Sequence, residues 1–276
     1  MAISVIIPAA PMEELLWRLE LVLKGLTVQT LAPTEVIVVD SVGQGDDPVS
    51  RVVAKFADKL PIRSYQMPPS SHGNIFRAGE ARNYGVSQLR VSVPRYLFID
   101  ADCVPEHPLL ALHDSFGGRE ISVACSRVHI DPTTLSERTL EAIRQTRPCK
   151  LDPRNKQSAA YGTHFCAWSC VLSVPAALFA KVGGFWDRMV IEEDIDLGLR
   201  LRNAGGRVRY FHRPGAFHLD HPDWRPLAIW EQQVRGREAR NELPVWAFTY
   251  QQSAALSGYL REPLEYVAGH HTTNQD

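Results

Sequence analysis

Three short segments, Ile3 to Pro8, Glu35 to Val39 and Arg95 to Ile99, carry β-branched, aliphatic and aromatic residues at consecutive positions instead of alternate ones. A strand with one wet face alternates, whereas a continuous apolar run fits a strand covered on both faces, as in a parallel sheet under helices. The intervening segments read as the covering helices. From Glu13 to Lys24, Leu15, Leu16, Leu19, Val22, Leu23 and Leu26 fall at helical spacing, and Glu13 and Glu14 sit in the first turn, where the helix dipole favours acids. A helix near Val49 to Ala57, a third strand at Ile62 to Gln66 and a helix from Arg77 to Leu89 continue the alternation. This order predicts an α/β fold with a mostly parallel central sheet flanked by helices.

Beyond Asp131 the pattern loosens. A strand is expected at Ile121 to His129, a helix near Leu135 to Arg144, and a polar stretch over Lys150 to Ser158. Leu178 to Val182 closes a short helix at Gly183-Gly184. Another helix opens at Asp194 and stops at Asn203-Ala204-Gly205-Gly206, and a strand follows at Arg207 to Phe211. Trp224 to Arg240 reads as an amphipathic helix, and the tail from about Gly269 as flexible.

Thirty Lys and Arg against 31 Asp and Glu leave no basic field of the kind nucleic-acid binding needs. No stretch approaches the roughly 18 to 20 uninterrupted apolar residues of a membrane span. The five cysteines include no Cys-x-x-Cys pair, which argues against a zinc site and a disulfide framework and fits a reducing cytoplasm.

Asp100 and Asp102, separated by Ala101, follow the run ending at Ile99. Two carboxylates so spaced present oxygens to a hard divalent cation, and ligands in open α/β sheets bind beyond the carboxyl ends of strands. An Asp-x-Asp triplet is common in turns by chance, so its position supplies much of its weight. Asp40 ends the second strand and faces the same crevice. Glu192-Glu193-Asp194 opens a helix. One acid there suits the helix dipole, and three in a row repel, which makes one of them a candidate general base. His218 and His221 follow the last strand, and either imidazole suits a carboxylate-based metal shell. Arg82 lies in the first turns of a helix, positioned for a diphosphate, while Arg77 reads as part of a solvated helix face. Trp168, Phe185 and Trp186 read as core side chains.

In order, SVIIPA, VIVVDS, ARNYGV, YLFIDADC and GGFWDRMVIEEDIDLGLRLRNAGG followed by a histidine resemble the family 2 glycosyltransferases of GT-A fold. The GGF…EDIDLGLRLRNAG segment also looks like the carboxyl-terminal part of galactosyltransferase-type enzymes. The resemblance covers roughly Ile3 to His221. It implies one GT-A domain over residues 1–268, with a nucleotide-sugar-binding half (1–103) and an acceptor-side half (104–268), ahead of a tail at 269–276. It implies Pro8, Asp40, Arg82, Asp100 and Asp102 for the nucleotide sugar, with Ser41 standing where the family has a second Asp. It also implies Mn2+ or Mg2+ on Asp102 with Asp100 and His218, and Asp194, beside Glu193, as catalytic base. The implied activity is inverting, metal-dependent transfer of a hexosyl or N-acetylhexosaminyl group from a nucleotide-diphosphate sugar, taken as a UDP-sugar, to a soluble hydroxyl acceptor. Some GT-A relatives with a metal-binding histidine retain configuration, so a retaining outcome stays open.

Two other functions are compatible with such a sheet. A non-catalytic sugar-nucleotide or glycan-binding module would need the fold but not both Asp102 and Asp194. A sugar nucleotidylyltransferase would need a Gly-rich, basic loop after the first strand, where this chain has PAAPMEE.

Overall fold

The structure, a computed structural model, describes residues 2–43, 45–68, 77–116, 120–150, 152–186 and 193–221. The expected loop through His72-Gly73-Asn74, Glu192, the Trp224 to Arg240 helix and the tail lie outside the described residues. Among the described residues no helix is long and apolar enough to cross a membrane.

The first half follows the predicted alternation: β1 (Ile3–Ala9), α1 (Glu13–Thr27), β2 (Glu35–Asp40), α2 (Pro48–Ala54), β3 (Ile62–Gln66), α3 (Ala78–Ser87) and β4 (Arg95–Ile99). The second half contains β5 (Cys103–Pro105), α4 (Leu109–Asp114), β6 (Ile121–Ile130), α5 (Leu140–Gln145), α6 (Arg154–Tyr161), β7 (Val171–Pro175), α7 (Ala176–Lys181), α8 (Glu193–Asn203) and β8 (Arg207–Leu219). One sheet runs β3-β2-β1-β4-β7-β6-β8-β5.

The sheet is mixed, so the expectation of a mostly parallel one holds only in part. β3, β2, β1 and β4 pair in parallel, as do β6 and β8. β7 inserts antiparallel between β4 and β6, and β5 pairs antiparallel with β8. β7 carries the polar Ser173 at its centre. Its hydroxyl is buried and shared with Arg95 Nη1 at 3.0 Å and His113 Nδ1 at 2.8 Å, so it costs the strand little.

β8 is also longer than expected, because it runs through Pro214 and Gly215 instead of stopping at Phe211. The β6–β8 register shifts between Cys125 and Arg127, opposite this point. Such an irregularity tolerates a proline that cannot donate to the ladder. Continuing the strand carries His218 into register with both Cys103 of β5 and His129 of β6. The polar stretch from Lys150 likewise contains a helix, α6, because the Asp152–Arg154 pair buries its charges against one another. The main core lies between β1, β2, β4 and the helices α1 and α2, and a second apolar cluster joins Phe98, Phe179 and Phe185 to the inner face of α8.

Candidate active site

β1 pairs in parallel with both β2 and β4, so the carboxyl ends of the three strands lie side by side. Ala9 and Asp40 are register partners, and Ser41 donates to the Ala9 carbonyl from both its N–H (2.9 Å) and its hydroxyl (3.1 Å). Asp40 is fully buried. Its Oδ1 accepts from Val42 N at 2.9 Å and Gly43 N at 3.4 Å, and its Oδ2 from Gln66 Nε2 at 3.4 Å, so the turn holds the carboxylate in a fixed orientation. Pro8 sits one residue earlier on β1, half-buried and opposite Val39.

α3 supplies Arg82. Gly85 allows the close approach of this helix to the sheet, since a Cβ there would come 2.6 Å from the Ile6 side chain. Gly79 has the same role against α8, where a Cβ would come 2.9 Å from Glu193 Cγ. Asn83 ties the two regions together by donating to the Phe185 carbonyl at 2.7 Å and accepting from Phe185 N at 2.9 Å. The buried Arg82 guanidinium then bridges two acids, Asp100 Oδ1 at 2.6 Å and Glu193 Oε1 at 2.7 Å, and lies 5.3 Å from the Phe185 ring. Burial disfavours its charge, but Asp100 and Glu193 outweigh burial and raise its pKa.

Glu193 responds in the opposite sense. Burial, then the adjacent Asp194 carboxylate, push its carboxyl up to about 7, against the pull of Arg82. Asp194 is held differently: Oδ2 accepts from Ser169 N at 2.9 Å and Ser169 Oγ at 3.3 Å, and Oδ1 from Ile195 N at 2.8 Å.

A second group of side chains gathers on Asp102. Its Oδ2 lies 3.0 Å from His221 Nε2 and 3.8 Å from His218 Nε2, and one ligand atom from each of the three residues falls within 4.8 Å of the others. Burial opposes ionisation of Asp102, but His218, His221 and Arg127 hold it well below the usual carboxylate range. Asp220 orients the imidazoles from behind: its Oδ1 lies 2.6 Å from both His218 Nδ1 and His129 Nδ1, and its Oδ2 2.7 Å from Lys150 Nζ. Engaging Nδ1 leaves His218 Nε2 turned toward Asp102, the arrangement by which a carboxylate fixes a metal-binding histidine. The donor set of one buried carboxylate and two imidazoles fits a divalent cation, and the nitrogens suit Mn2+ better than Mg2+, which prefers an all-oxygen shell.

Asp100 and Asp102 therefore face different partners, one the Arg82 bridge and the other the histidines. Arg77 corrects a reading. It is buried, with its Nε 2.7 Å from Glu80 Oε2 and its Nη1 2.7 Å from the Pro68 carbonyl, because the Glu80 carboxylate and a free carbonyl compensate its charge inside the fold. Phe185 is core, as expected, and Trp168 and Trp186 are half-buried. Sequence reasoning passed over His129, Ser169 and any role for Asp220. Only the His-Leu-Asp-His spacing around Asp220 offered a signal.

No protein-family model and no curated protein matches this sequence. Solved structures do. S. aureus TarS matches at 16% identity and a TM-score of 0.60 over 96% of this chain and 46% of that one, so the chain spans less than half the length of that structure. TarS 1-349 in complex with UDP-GlcNAc matches at 14% identity and a TM-score of 0.59, over 98% of this chain and 70% of that one. The mannosyltransferase PcManGT from Pyrobaculum calidifontis, in complex with GDP-Man and Mn2+, matches at 16% identity and a TM-score of 0.57, over 98% and 72%. At these identities the likeness is one of fold, a mixed α/β sheet flanked by helices of GT-A-like kind.

Proposed function

We propose that this chain transfers a hexosyl or N-acetylhexosaminyl group from a nucleotide-diphosphate sugar, of the UDP class, to a hydroxyl of a soluble acceptor, with inversion at the anomeric carbon. The observation that carries the reading is the meeting of Asp102, His218 and His221 beside the Arg82–Asp100 pair at the carboxyl end of β4. The structures of like fold that hold UDP-GlcNAc, or GDP-Man with Mn2+, support a nucleotide sugar as donor.

Asp102 with His218 and His221 would hold Mn2+ or, less well matched to the nitrogens, Mg2+. A cation there offsets the charge of the leaving diphosphate. The chain's own residues do the rest. Asp40 and the end of β1 at Pro8 receive the nucleoside, and Arg82, paired with Asp100, fixes that carboxylate toward the donor. Asp194, oriented by Ser169, removes the acceptor proton as the hydroxyl attacks in line.

A second reading exchanges the roles of the two acids on α8. A general base works best with a pKa near the working pH, and Glu193 has been pushed to about 7. The two assignments separate in the Asp194→Asn and Glu193→Gln variants, because only loss of the base removes transfer while donor binding persists. The activity itself is tested by incubation with Mn2+ and a panel of UDP- and GDP-sugars, reading release of nucleoside diphosphate before and after chelation. Metal-dependent release is the expected result. Binding without turnover across a range of acceptors would identify a non-catalytic module.

A further inference from the structure

Behind Asp102 the second half of the chain buries an excess of positive charge. Arg127 and Arg154 lie side by side beneath Trp168, their guanidinium carbons 5.5 and 5.9 Å from its ring. One acid serves both. Asp152 accepts from Arg154 Nη2 at 2.8 Å and Nε at 3.1 Å and, at 2.7 Å, from the backbone N–H of Arg127, so its oxygens are already engaged before the Arg127 guanidinium reaches them. Arg127 Nε lies 3.7 Å from Asp152 Oδ2, an ion pair too long for a hydrogen bond, and Nε has no hydrogen-bond partner although it is buried. Only 9% of the Arg127 side chain is exposed.

The position of Arg127 gives this charge a direction. It is two residues from His129 on β6, so both side chains leave the same face of the strand, and His129 meets His218 and Asp220 there. The register shift just before Arg127 is the kind of irregularity that re-aims a side chain next to a site. Its field reaches Asp102. Trp168, against whose ring it lies, is followed by Ser169, the residue that holds Asp194. Arg127 thus borders the site from the side of Asp194, two strands away from β4 and on the other side of it from Asp40.

We propose that Arg127 is a binding subsite for an anionic group, carboxylate or phosphate, carried by the acceptor. The inference rests on the transferase reading and adds the acceptor's chemical class to it. A buried guanidinium with unspent donors is costly when empty and recognises an oxyanion through paired, charge-assisted hydrogen bonds.

The test is calorimetric titration of sulfate, at constant ionic strength, into protein loaded with Mn2+ and UDP. Wild type should bind sulfate at one site, and Arg127→Gln should weaken it about tenfold or more, the worth of a charged hydrogen bond, with UDP affinity unchanged. Arg127→Lys, which keeps the buried charge, carries the comparison should the glutamine variant fail to fold. It should also bind sulfate more weakly, because an ammonium lacks the planar fork. Sulfate affinity unchanged in these variants overturns the assignment. So does a parallel loss of UDP affinity, which would give Arg127 to the donor diphosphate. Failure of wild type to bind UDP with Mn2+ at all would remove the transferase reading underneath and is distinguishable from both.

Discussion

Glu193 is the buried acid whose replacement gives the most decisive stability measurement. Its carboxyl stands at about 7 in the folded chain against 4.5 in the ordinary state. Between these values the folded protein holds a proton that the unfolded chain has released, so stability falls as pH rises through this window. Integrating the linkage for a group moved from 4.5 to about 7 gives a loss of about 2.5 kcal/mol between pH 5 and pH 8. Glu193→Gln keeps the shape and an acceptor for Arg82 but cannot ionise. Urea unfolding of both proteins at pH 5 and pH 8 isolates the effect, since every other titrating group is common to the two. The stability of wild type relative to the variant should drop by about 2.5 kcal/mol over that interval. A difference that stays flat, or that rises with pH, would refute the claim that burial and Asp194 outweigh Arg82 at this carboxyl.

Other outcomes follow from the same structure. Gly198→Ala places a Cβ 2.2 Å from the His164 carbonyl oxygen, which is backbone and cannot swing aside. Thermal or urea unfolding should show a loss of about 2–3 kcal/mol, as for an overpacked core. Asp152→Asn leaves Arg154 buried beside an uncharged partner, and urea unfolding should show about 3–5 kcal/mol lost, the cost of breaking a buried pair. His113 is fully buried and its pKa falls from 6.5 to about 3 through burial and then Arg95. The unfolded chain therefore takes up the proton first, and stability should decline as pH falls from about 6.5 toward 3, a slope that His113→Gln removes.

The half of the fold built from β1 to β4 was legible because its strands are covered on both faces and its helices on one, so periodicity and run length carried the information. The mixed half was not. β7 hides a buried hydroxyl in its centre, β8 crosses a proline and a glycine, and α6 is preceded by an acid whose charge only the tertiary structure explains. The same division holds for the candidate site. Asp40 and Asp100 follow or end strands and Glu193 opens a helix, so position alone made them candidates, while Arg82 was singled out as a cation within α3. His129, Ser169 and Arg127 come together only through β8 pairing with β6 and through the chain between α6 and β7. No local spacing announces such meetings.

The central claim is that Asp102 and its two histidines form a cation site on which nucleotide binding depends. Calorimetry of UDP binding to wild type and Asp102→Asn, each with Mn2+ and again after chelation, tests it most directly. UDP should bind wild type only when Mn2+ is present and should be lost from the variant under both conditions. UDP affinity that is the same with and without metal, and unchanged by Asp102→Asn, would contradict it.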